Sequence, residues 1–504
     1  MPKRDLYAGI DLGSNSFHLV VARREHGELR QIDELKDMVR LAGGVDRKGR
    51  LSSTVERESL DSLARFAERI QGIPESHIRA VGTQTFRRLK NADRFLSLAE
   101  NTLTAPIEII SGREEARLVY RGVWQGMANQ ATPKLILDVG GGSTEVVAGQ
   151  GEQPVIAESL PFGCVGMTQK YFDGGKITAK RWHRGREKIM ADAQSLKAQL
   201  TDHPWEQAIG SSGTARALVA MAEELRPLQP AGLSLSVLQE IKDQLIDAGH
   251  IDAITLSGLS ERRRPVIVGG ALVFDALMTA FEIEHLTASK FALREGVLYD
   301  LLERLDPSLR HSNPRAGTVK AMMERYQCDQ AQAKRVSDWA LMGFDQVADE
   351  WSLSPAAREL LHTACQLHEV GLSIAHDQYH LHSGYILAHA DMPGFSSTEQ
   401  QVLACLANLQ RAKPDPDRVD ALPQRLRPIT IRLLMLMRLA VALARPRGDD
   451  RPDAITWVAD EHQLTLRLPE SWLRSHPLTQ RDLLVEAEQI KRLDQTLHIE
   501  AVSA

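Results

Sequence analysis

Two short stretches carry the residue types needed to hold a phosphate: Asp11-Leu-Gly-Ser-Asn-Ser-Phe-His18 and Asp138-Val-Gly-Gly-Gly-Ser-Thr-Glu145. Each lies between two apolar runs, so each reads as a β-hairpin with small residues at its bend. Setting Asp11 on Asp138 brings Gly13 onto Gly140 and Ser16 onto Ser143. The same hairpin thus occurs twice. Glycine lets a ligand approach the backbone closely, and successive N–H groups in a turn form a concave anion site. Gly13, Ser14, Asn15 and Ser16 in one turn, and Gly140, Gly141, Gly142 and Ser143 in the other, are therefore candidate phosphate ligands. Asp11 and Asp138 end the preceding strands and add carboxylates able to hold a metal ion or orient water. Glu145 stands across the second hairpin from Asp138, a pair suited to Mg2+, which takes a few carboxylates plus phosphate oxygens and water. Either hairpin alone passes for an ordinary turn; the repetition, Asp included, points to a phosphate site.

Other residues add to this chemistry. Ser111 reads as the cap of a helix beginning Gly-Arg-Glu-Glu, where acidic residues also suit the helix dipole. Glu114 shares a face with Arg117 and Arg121, which reads as polar and solvated, whereas Glu115 shares one with Leu118 and Val119. Glu115 is the preferred general base. Arg87, after a short strand and a Gly-Thr-Gln-Thr bend, can pair a phosphate bidentately. Gly210-Ser-Ser-Gly-Thr214 has a strand–Gly/Ser–helix arrangement, so Ser212, Gly213 and Thr214 are further anion ligands at a helix N-terminus. There is no P-loop motif and no strand-linked G-x-G-x-x-G. His362, His368, Glu369, His376, His380, His382 and His389 cluster, but His368-Glu-Val-Gly-Leu lacks the second His of H-E-x-x-H, and helix-end histidines are the preferred reading. Arg425, Arg427, Arg432, Arg438, Arg445, Arg447 and Arg451 form a basic stretch, a solvated face or a grip on the trailing charges of a polyanion.

The elements that position these residues follow two plans. Residues 1–126 alternate strand and helix patterns, and residues 127–305 repeat the arrangement, implying two α/β halves with a cleft between them. A Pro-containing linker is expected over 306–314, an all-helical region over 315–445, and a small α+β region over 446–504 with a two-stranded ribbon.

At 504 residues the chain is too long for a single core. A net charge of −5 argues against a dedicated nucleic-acid binder. The four cysteines lie far apart, so neither a disulfide framework nor a zinc site is indicated. With neither a signal-type N-terminus nor a membrane-spanning apolar run, a cytoplasmic location is expected.

Taken together, Asp11-Leu-Gly-Ser-Asn-Ser-Phe-His, Ile110-Ser-Gly-Arg-Glu-Glu-Ala-Arg, Asp138-Val-Gly-Gly-Gly-Ser-Thr-Glu, Gly210-Ser-Ser-Gly-Thr and Leu293-Arg-Glu-Gly-Val-Leu resemble the exopolyphosphatase/guanosine pentaphosphate phosphohydrolase family, in order and spacing and over nearly the whole chain. The resemblance implies duplicated actin-like ATPase (ribonuclease H-like) domains, a helical domain similar to HD phosphohydrolases, and a small C-terminal α+β domain. It implies Mg2+-dependent release of orthophosphate from inorganic polyphosphate, conversion of pppGpp to ppGpp, or both, and a homodimer. By motif, Glu115 looks like the general base, Asp138 and Glu145 like metal and catalytic-water residues, with Asp11 a further metal ligand, and Arg87 like a phosphate ligand. Gly140-Gly-Gly142 and Phe162-Gly-Cys-Val-Gly look more like exopolyphosphatases; Cys365-Gln-Leu-His-Glu and Leu464-Thr-Leu-Arg-Leu-Pro look more like pentaphosphate phosphohydrolases. Polyphosphate is the preferred substrate. A kinase of the same superfold and a non-enzymatic nucleotide sensor are the rival classes.

Overall fold

The computed structural model describes residues 5–25, 28–46, 48–90, 92–127, 132–227, 231–306, 314–452, 454–461 and 463–502. They form two compact units, Met1–Ser312 and Asn313–Ala504. The expected linker over 306–314 lies, apart from its ends, outside the described residues. Among the described residues, no helix is long and apolar enough to cross a membrane.

In the first unit, β1 (Leu6–Leu12), β2 (Phe17–Glu25) and β3 (Glu28–Asp37) form an antiparallel meander. Strands β4 (Ile78–Gly82) and β5 (Ile107–Ile109) extend it in parallel, in the order β3-β2-β1-β4-β5. The second sheet repeats the plan. There β6 (Lys134–Val139), β7 (Thr144–Gln150) and β8 (Gln153–Leu160) make the meander, extended by β9 (Gln207–Gly210), β10 (Leu233–Ser234) and β11 (His285–Ala288) in the order β10-β11-β9-β6-β7-β8. Strands β1 and β6 are central and buried on both faces, which is why they read as continuous apolar runs rather than alternating ones. The unit is a duplicated actin-like ATPase-type fold, as expected.

The helices of this unit are α1 (Ser53–Ile70), α2 (Gln84–Arg88), α3 (Ala92–Leu103), α4 (Gly112–Gln125), α5 (Cys164–Tyr171), α6 (Ala179–Asp202), α7 (Gly213–Leu225), α8 (Leu235–Ala248), α9 (Arg264–Ala280) and α10 (Leu293–Leu305). Helix α2 takes in the last two residues of the stretch read as a Gly-Thr-Gln-Thr bend. Helix α4, from the first half of the chain, packs on β7 and β8 of the second sheet, and α10, from the second half, packs on β1, β2 and β4 of the first. The two helices cross at glycines. A methyl on Gly122 would stand 2.1 Å from the Ala292 carbonyl oxygen, and one on Gly296 would stand 1.8 Å from that of Leu118. Larger residues would push the halves apart.

That crossing corrects the expectation for Glu114. Instead of lying on a solvated face it is fully buried, with Arg117 Nε donating to it at 2.8 Å. Arg117 also binds Asp300 on α10, and Arg79 on β4 donates to the same Asp300 at 2.5 Å. Burial alone would raise the Asp300 pKa, but the Arg117 and Arg79 guanidinium groups hold it well below the usual carboxylate range. An i, i+3 pattern of charge is read as surface by default; here tertiary pairing makes it core.

The second unit holds α11 (Pro314–Arg325), α12 (Gln330–Val347), α13 (Pro355–Leu367), α14 (Tyr379–His389), α15 (Ser397–Leu409), α16 (Pro416–Asp420), α17 (Arg427–Ala444), α18 (Glu470–Ser475) and α19 (Pro477–Ile490). The expected ribbon is a three-stranded sheet: β12 (Thr456–Ala459) antiparallel to β13 (Gln463–Pro469), and β14 (Thr496–Val502) parallel to β13. The regions 315–445 and 446–504 share one core, in which Trp457 and Leu466 pack with Trp339 and Phe344. Gly343 admits the Trp457 ring, which a methyl would meet at 2.9 Å.

The basic stretch of this unit is largely spent internally. Arg438 is 1% exposed and donates to Glu486 and to the Leu409 carbonyl. Arg432 donates to the Trp351 carbonyl, Arg445 pairs Asp482, Arg447 pairs Asp329 and Glu369, and Arg451 pairs Asp338. Such a set offers little charge to a polyanion. His368 is buried with Nδ1 2.7 Å from the Cys365 carbonyl oxygen, and burial pushes its pKa down to about 4.

Candidate functional site

The two repeated hairpins meet at one cleft in the first unit. In the first, Asp11 faces His18; in the second, Asp138 faces Glu145. Each turn is closed by the same bond, Gly13 N–H to the Ser16 carbonyl at 3.2 Å and Gly140 N–H to the Ser143 carbonyl at 3.0 Å. A methyl on Gly13 would meet that carbonyl oxygen at 2.9 Å, so the closure calls for glycine. The turns also touch each other: a methyl on Gly141 would stand 3.0 Å from Asn15 Cβ. Among the described residues, the backbone N–H groups of 14–16 and 141–143 donate to no protein acceptor. Two rows of free amides facing one cleft form an anion nest.

Neighbouring elements hold the turns in place. Ser14 and Asn15 carbonyls accept from the Ala42 and Arg40 N–H groups, each at 2.9 Å, and Thr85 Oγ1 donates to Ser14 Oγ at 2.7 Å. In the second turn, the Gly140 and Gly141 carbonyls accept from the first amides of α5, Cys164 and Val165, each at 2.9 Å. Those amides would otherwise be orphan helix-end donors. Gly163 is needed there, since a methyl would fall 2.6 Å from the Gly140 oxygen. Ser212 caps α7 by accepting from Ala215 N–H at 3.0 Å.

Four carboxylates line the cleft: Asp11, Glu115, Asp138 and Glu145. Ser211 Oγ donates to Asp138 Oδ2 at 2.7 Å, so Asp138 does not take the turn amides. Ser159 Oγ donates to Glu145 Oε1 at 2.8 Å. Glu115, at the start of α4, receives Arg87 through Nη1 at 3.1 Å and Nη2 at 3.2 Å. Asp11 Oδ1 is buried with no partner among the described residues. Burial, then the charges of Glu115 and Asp138, pushes the Asp11 pKa up to about 8. Burial also pushes Glu115 up to about 7, against the lowering effect of Arg87, and lifts Asp138 and, well above its usual range, Glu145. Like charges this close, one with an orphaned oxygen, are what a divalent cation relieves. Asp11, Asp138 and Glu145 are the carboxylates that would contribute ligands to such a cation. Among the described residues no three His, Cys, Asp or Glu side chains converge as a ready-made cage, so the remaining ligands would be substrate oxygens and water.

The other wall is cationic. Lys36 on β3, Arg216 on α7, Arg263 before α9 and Arg294 on α10 line the same cleft. Lys36, Arg216 and Arg263 have no hydrogen-bond or ion-pair partner among the described residues, while Arg294 pairs Glu295 at 2.9 Å. Burial, followed by the nearby Arg263, Arg216 and Arg294, pushes Lys36 down to about 8. Unpaired cations held this close are complemented by an anion of several charges.

Of the residues singled out in the sequence, Asp11, Gly13–Ser16, Glu115, Asp138, Gly140, Gly141, Ser143, Glu145, Ser212 and Gly213 line the cleft together. Arg87, Gly142 and Thr214 stand behind its wall. Arg87 is engaged with Glu115 and the Ile110 carbonyl rather than open to a phosphate. The Gly142 carbonyl accepts from Gln84 Nε2 at 2.8 Å, and Thr214 Oγ1 donates to the Val139 carbonyl at 3.3 Å. The four wall cations and His18 are additions. Arg216 was within reach, one helical turn beyond Ser212 on the same face, and Arg294 sits in the Leu293-Arg-Glu-Gly motif. Lys36 and Arg263 carry no local signal.

The comparisons with known proteins agree with this architecture. The model of the Ppx/GppA phosphatase family matches residues 20–305, and that of Ppx/GppA phosphatase domain III matches residues 315–487. An exopolyphosphatase from Cytophaga hutchinsonii is 23% identical, covering 59% of this chain and 98% of its own, with a TM-score of 0.54, and shares the fold. The Aquifex aeolicus member of the Ppx/GppA family is 28% identical over 61% of this chain and 99% of its own, with a TM-score of 0.49. Two family models matched in order span most of the sequence, and the chain belongs to the Ppx/GppA phosphatase family.

Proposed function

We propose that this phosphatase is an exopolyphosphatase that hydrolyses the terminal phosphoanhydride bond of inorganic polyphosphate and releases orthophosphate. The observation that carries the reading is the composition of the cleft: two turns of free amides, four carboxylates and three cationic side chains with no partner among the described residues. A phosphate chain end complements the amides and the cations, and a divalent cation bound to it complements the carboxylates.

In this reading the turn amides and Ser hydroxyls bind the terminal phosphoryl group, and Lys36, Arg216 and Arg263 hold the phosphates behind it. Glu115 orients the attacking water and takes its proton; its partner Arg87 fixes the carboxylate and favours its ionised form. Asp11, Asp138 and Glu145 would hold Mg2+, which when bound would neutralise charge on the phosphoryl oxygens. Phosphoryl transfer needs mainly positioning and charge stabilisation, which such a site provides. Guanosine pentaphosphate presents the same terminal phosphates and differs only in what lies beyond them. The test is phosphate release by the purified chain from long polyphosphate and from pppGpp side by side, with and without Mg2+. Faster turnover of pppGpp would replace the polyphosphate reading; release from neither would end both.

A further inference from the structure

The direction of each amide in the second turn is set at the other end of its own peptide plane. In a planar trans peptide the C=O and N–H point in opposite directions, so a bond to the carbonyl fixes where the next residue's amide points. The Gly140 carbonyl accepts from Cys164 N–H and the Gly141 carbonyl from Val165 N–H, each at 2.9 Å. Those bonds turn the Gly141 and Gly142 amides away from α5, and both come from backbone of the second half. The third plane is held differently. The Gly142 carbonyl accepts from Gln84 Nε2 at 2.8 Å, a side chain of α2 in the first half. The other end of that plane is the Ser143 N–H, and Ser143 lines the cleft whereas Gly142 does not.

Among the described residues the Gly142 carbonyl has no other donor. Residues 141 and 142 are both glycine, which restrains a peptide plane less than any other residue. Glycine at 142 also makes room for the bond, since a methyl there would stand 1.8 Å from Gln84 Oε1. The same short helix reaches the rest of the site: Thr85 Oγ1 donates to Ser14 Oγ of the first turn at 2.7 Å, and Arg87 Nη1 to Glu115 at 3.1 Å. Helix α2 thus ties both turns and the general base to one piece of backbone. Without Gln84 the Gly142–Ser143 plane is free to rotate, and a rotated plane offers a phosphoryl oxygen a repelling carbonyl in place of an N–H.

We propose that Gln84 is a positioning residue for phosphoryl transfer: reaching across from the first half, its amide pins the Gly142–Ser143 peptide with the Ser143 N–H turned into the cleft, so that the second turn is complete only while the two halves are engaged. The proposal deepens the functional reading above and rests on its placing a phosphoryl group against these amides.

Three substitutions in the full chain test it. Gln84→Met keeps the size without a donor, Gln84→Glu puts an acceptor against the carbonyl, and Gln84→His returns an N–H at similar reach. The readouts are kcat and KM for tripolyphosphate with Mg2+, and the ¹⁵N-serine resonance of Ser143, identified by its loss in Ser143→Ala, on addition of inorganic phosphate. Melting temperature is the check on folding. Loss of one oriented donor costs about 10²-fold, so kcat should fall by that order in Met and Glu, with KM changing far less, and by about tenfold or less in His. The Ser143 resonance should move with phosphate in the wild type and in His, and stay in place in Met. If Gln84→Glu does not fold, Met against His decides. Wild-type kcat in Met, a His variant no better than Met, or a Ser143 resonance that responds equally in Met overturns the proposal. A wild-type chain that binds phosphate but hydrolyses no phosphoanhydride removes the functional reading and leaves the resonance to decide this one. A chain that does neither removes both.

Discussion

The two hairpins have one backbone and different charge. Both place Asp at the same register, close the turn with the same Gly-to-Ser bond and leave three amides free. Yet Asp138 takes the Ser211 hydroxyl and faces Glu145, whereas Asp11 has an oxygen with no partner among the described residues and faces His18, whose pKa burial pushes down. Backbone bonding and turn sterics are indifferent to the side chain across the ladder, so a duplicated hairpin keeps its shape while its chemistry diverges. On the proposed reading the second hairpin, with two acids, is the cation side. The first, with one acid, grips phosphate oxygens through its turn amides. Glu115, on the helix that starts between them, serves both.

The largest expected effect tests that shared position. Glu115→Gln should lower kcat by about 10²- to 10⁴-fold while KM changes little. Glu114→Gln should act differently, since it breaks the buried network with Arg117 and shows mainly as a lower melting temperature. Equal kcat losses at unchanged stability in both variants would break the assignment.

Next in size is the asymmetry in metal use. Asp138→Asn and Glu145→Gln should each raise the Mg2+ concentration for half-maximal rate, on the order of tenfold or more. Asp11→Asn, alone on its hairpin, should raise it less. The reverse ranking, read from Mg2+ titrations of the three variants, would place the cation on the first hairpin.

A smaller effect concerns pH. A base must be ionised to work, so kcat/KM should rise with pH through an apparent pKa at or below about 7, bound Mg2+ moving it down. Arg87 favours the ionised carboxylate, so Arg87→Gln should shift the rising limb upward. A limb that stays in place in this variant would show that another group is titrating.

The smallest effect is on stability. The folded pKa of Asp11, about 8, lies above its ordinary value of 3.8. Between those pH values the unfolded chain loses the proton first, so this residue makes folding less favourable as pH rises. Asp11→Asn should therefore raise the metal-free melting temperature more at pH 8 than at pH 5, by on the order of 2 °C. A gain that does not depend on pH would mean that Asp11 is not desolvated as the fold implies.

The hairpins were legible in the sequence because their cause is local. An apolar run, an Asp, a Gly/Ser bend and a second run specify strand, turn and strand within about 20 residues. Their duplication then announced the two halves. The preference for Glu115 also came from local periodicity, although its premise failed: Glu114 is no surface group, because Arg79 on β4 pairs with it and Arg117 links it to Asp300 on α10, both far along the chain. Only the tertiary structure decided which charges are spent and which are free. Arg438 and Arg87 look in the sequence like candidate anion ligands and are engaged by Glu486 and Glu115. Lys36, Arg216 and Arg263, from three distant elements, are left unpaired around one cleft. Pairing of charges depends on distances between segments far apart in sequence, and a one-dimensional pattern carries no such distances.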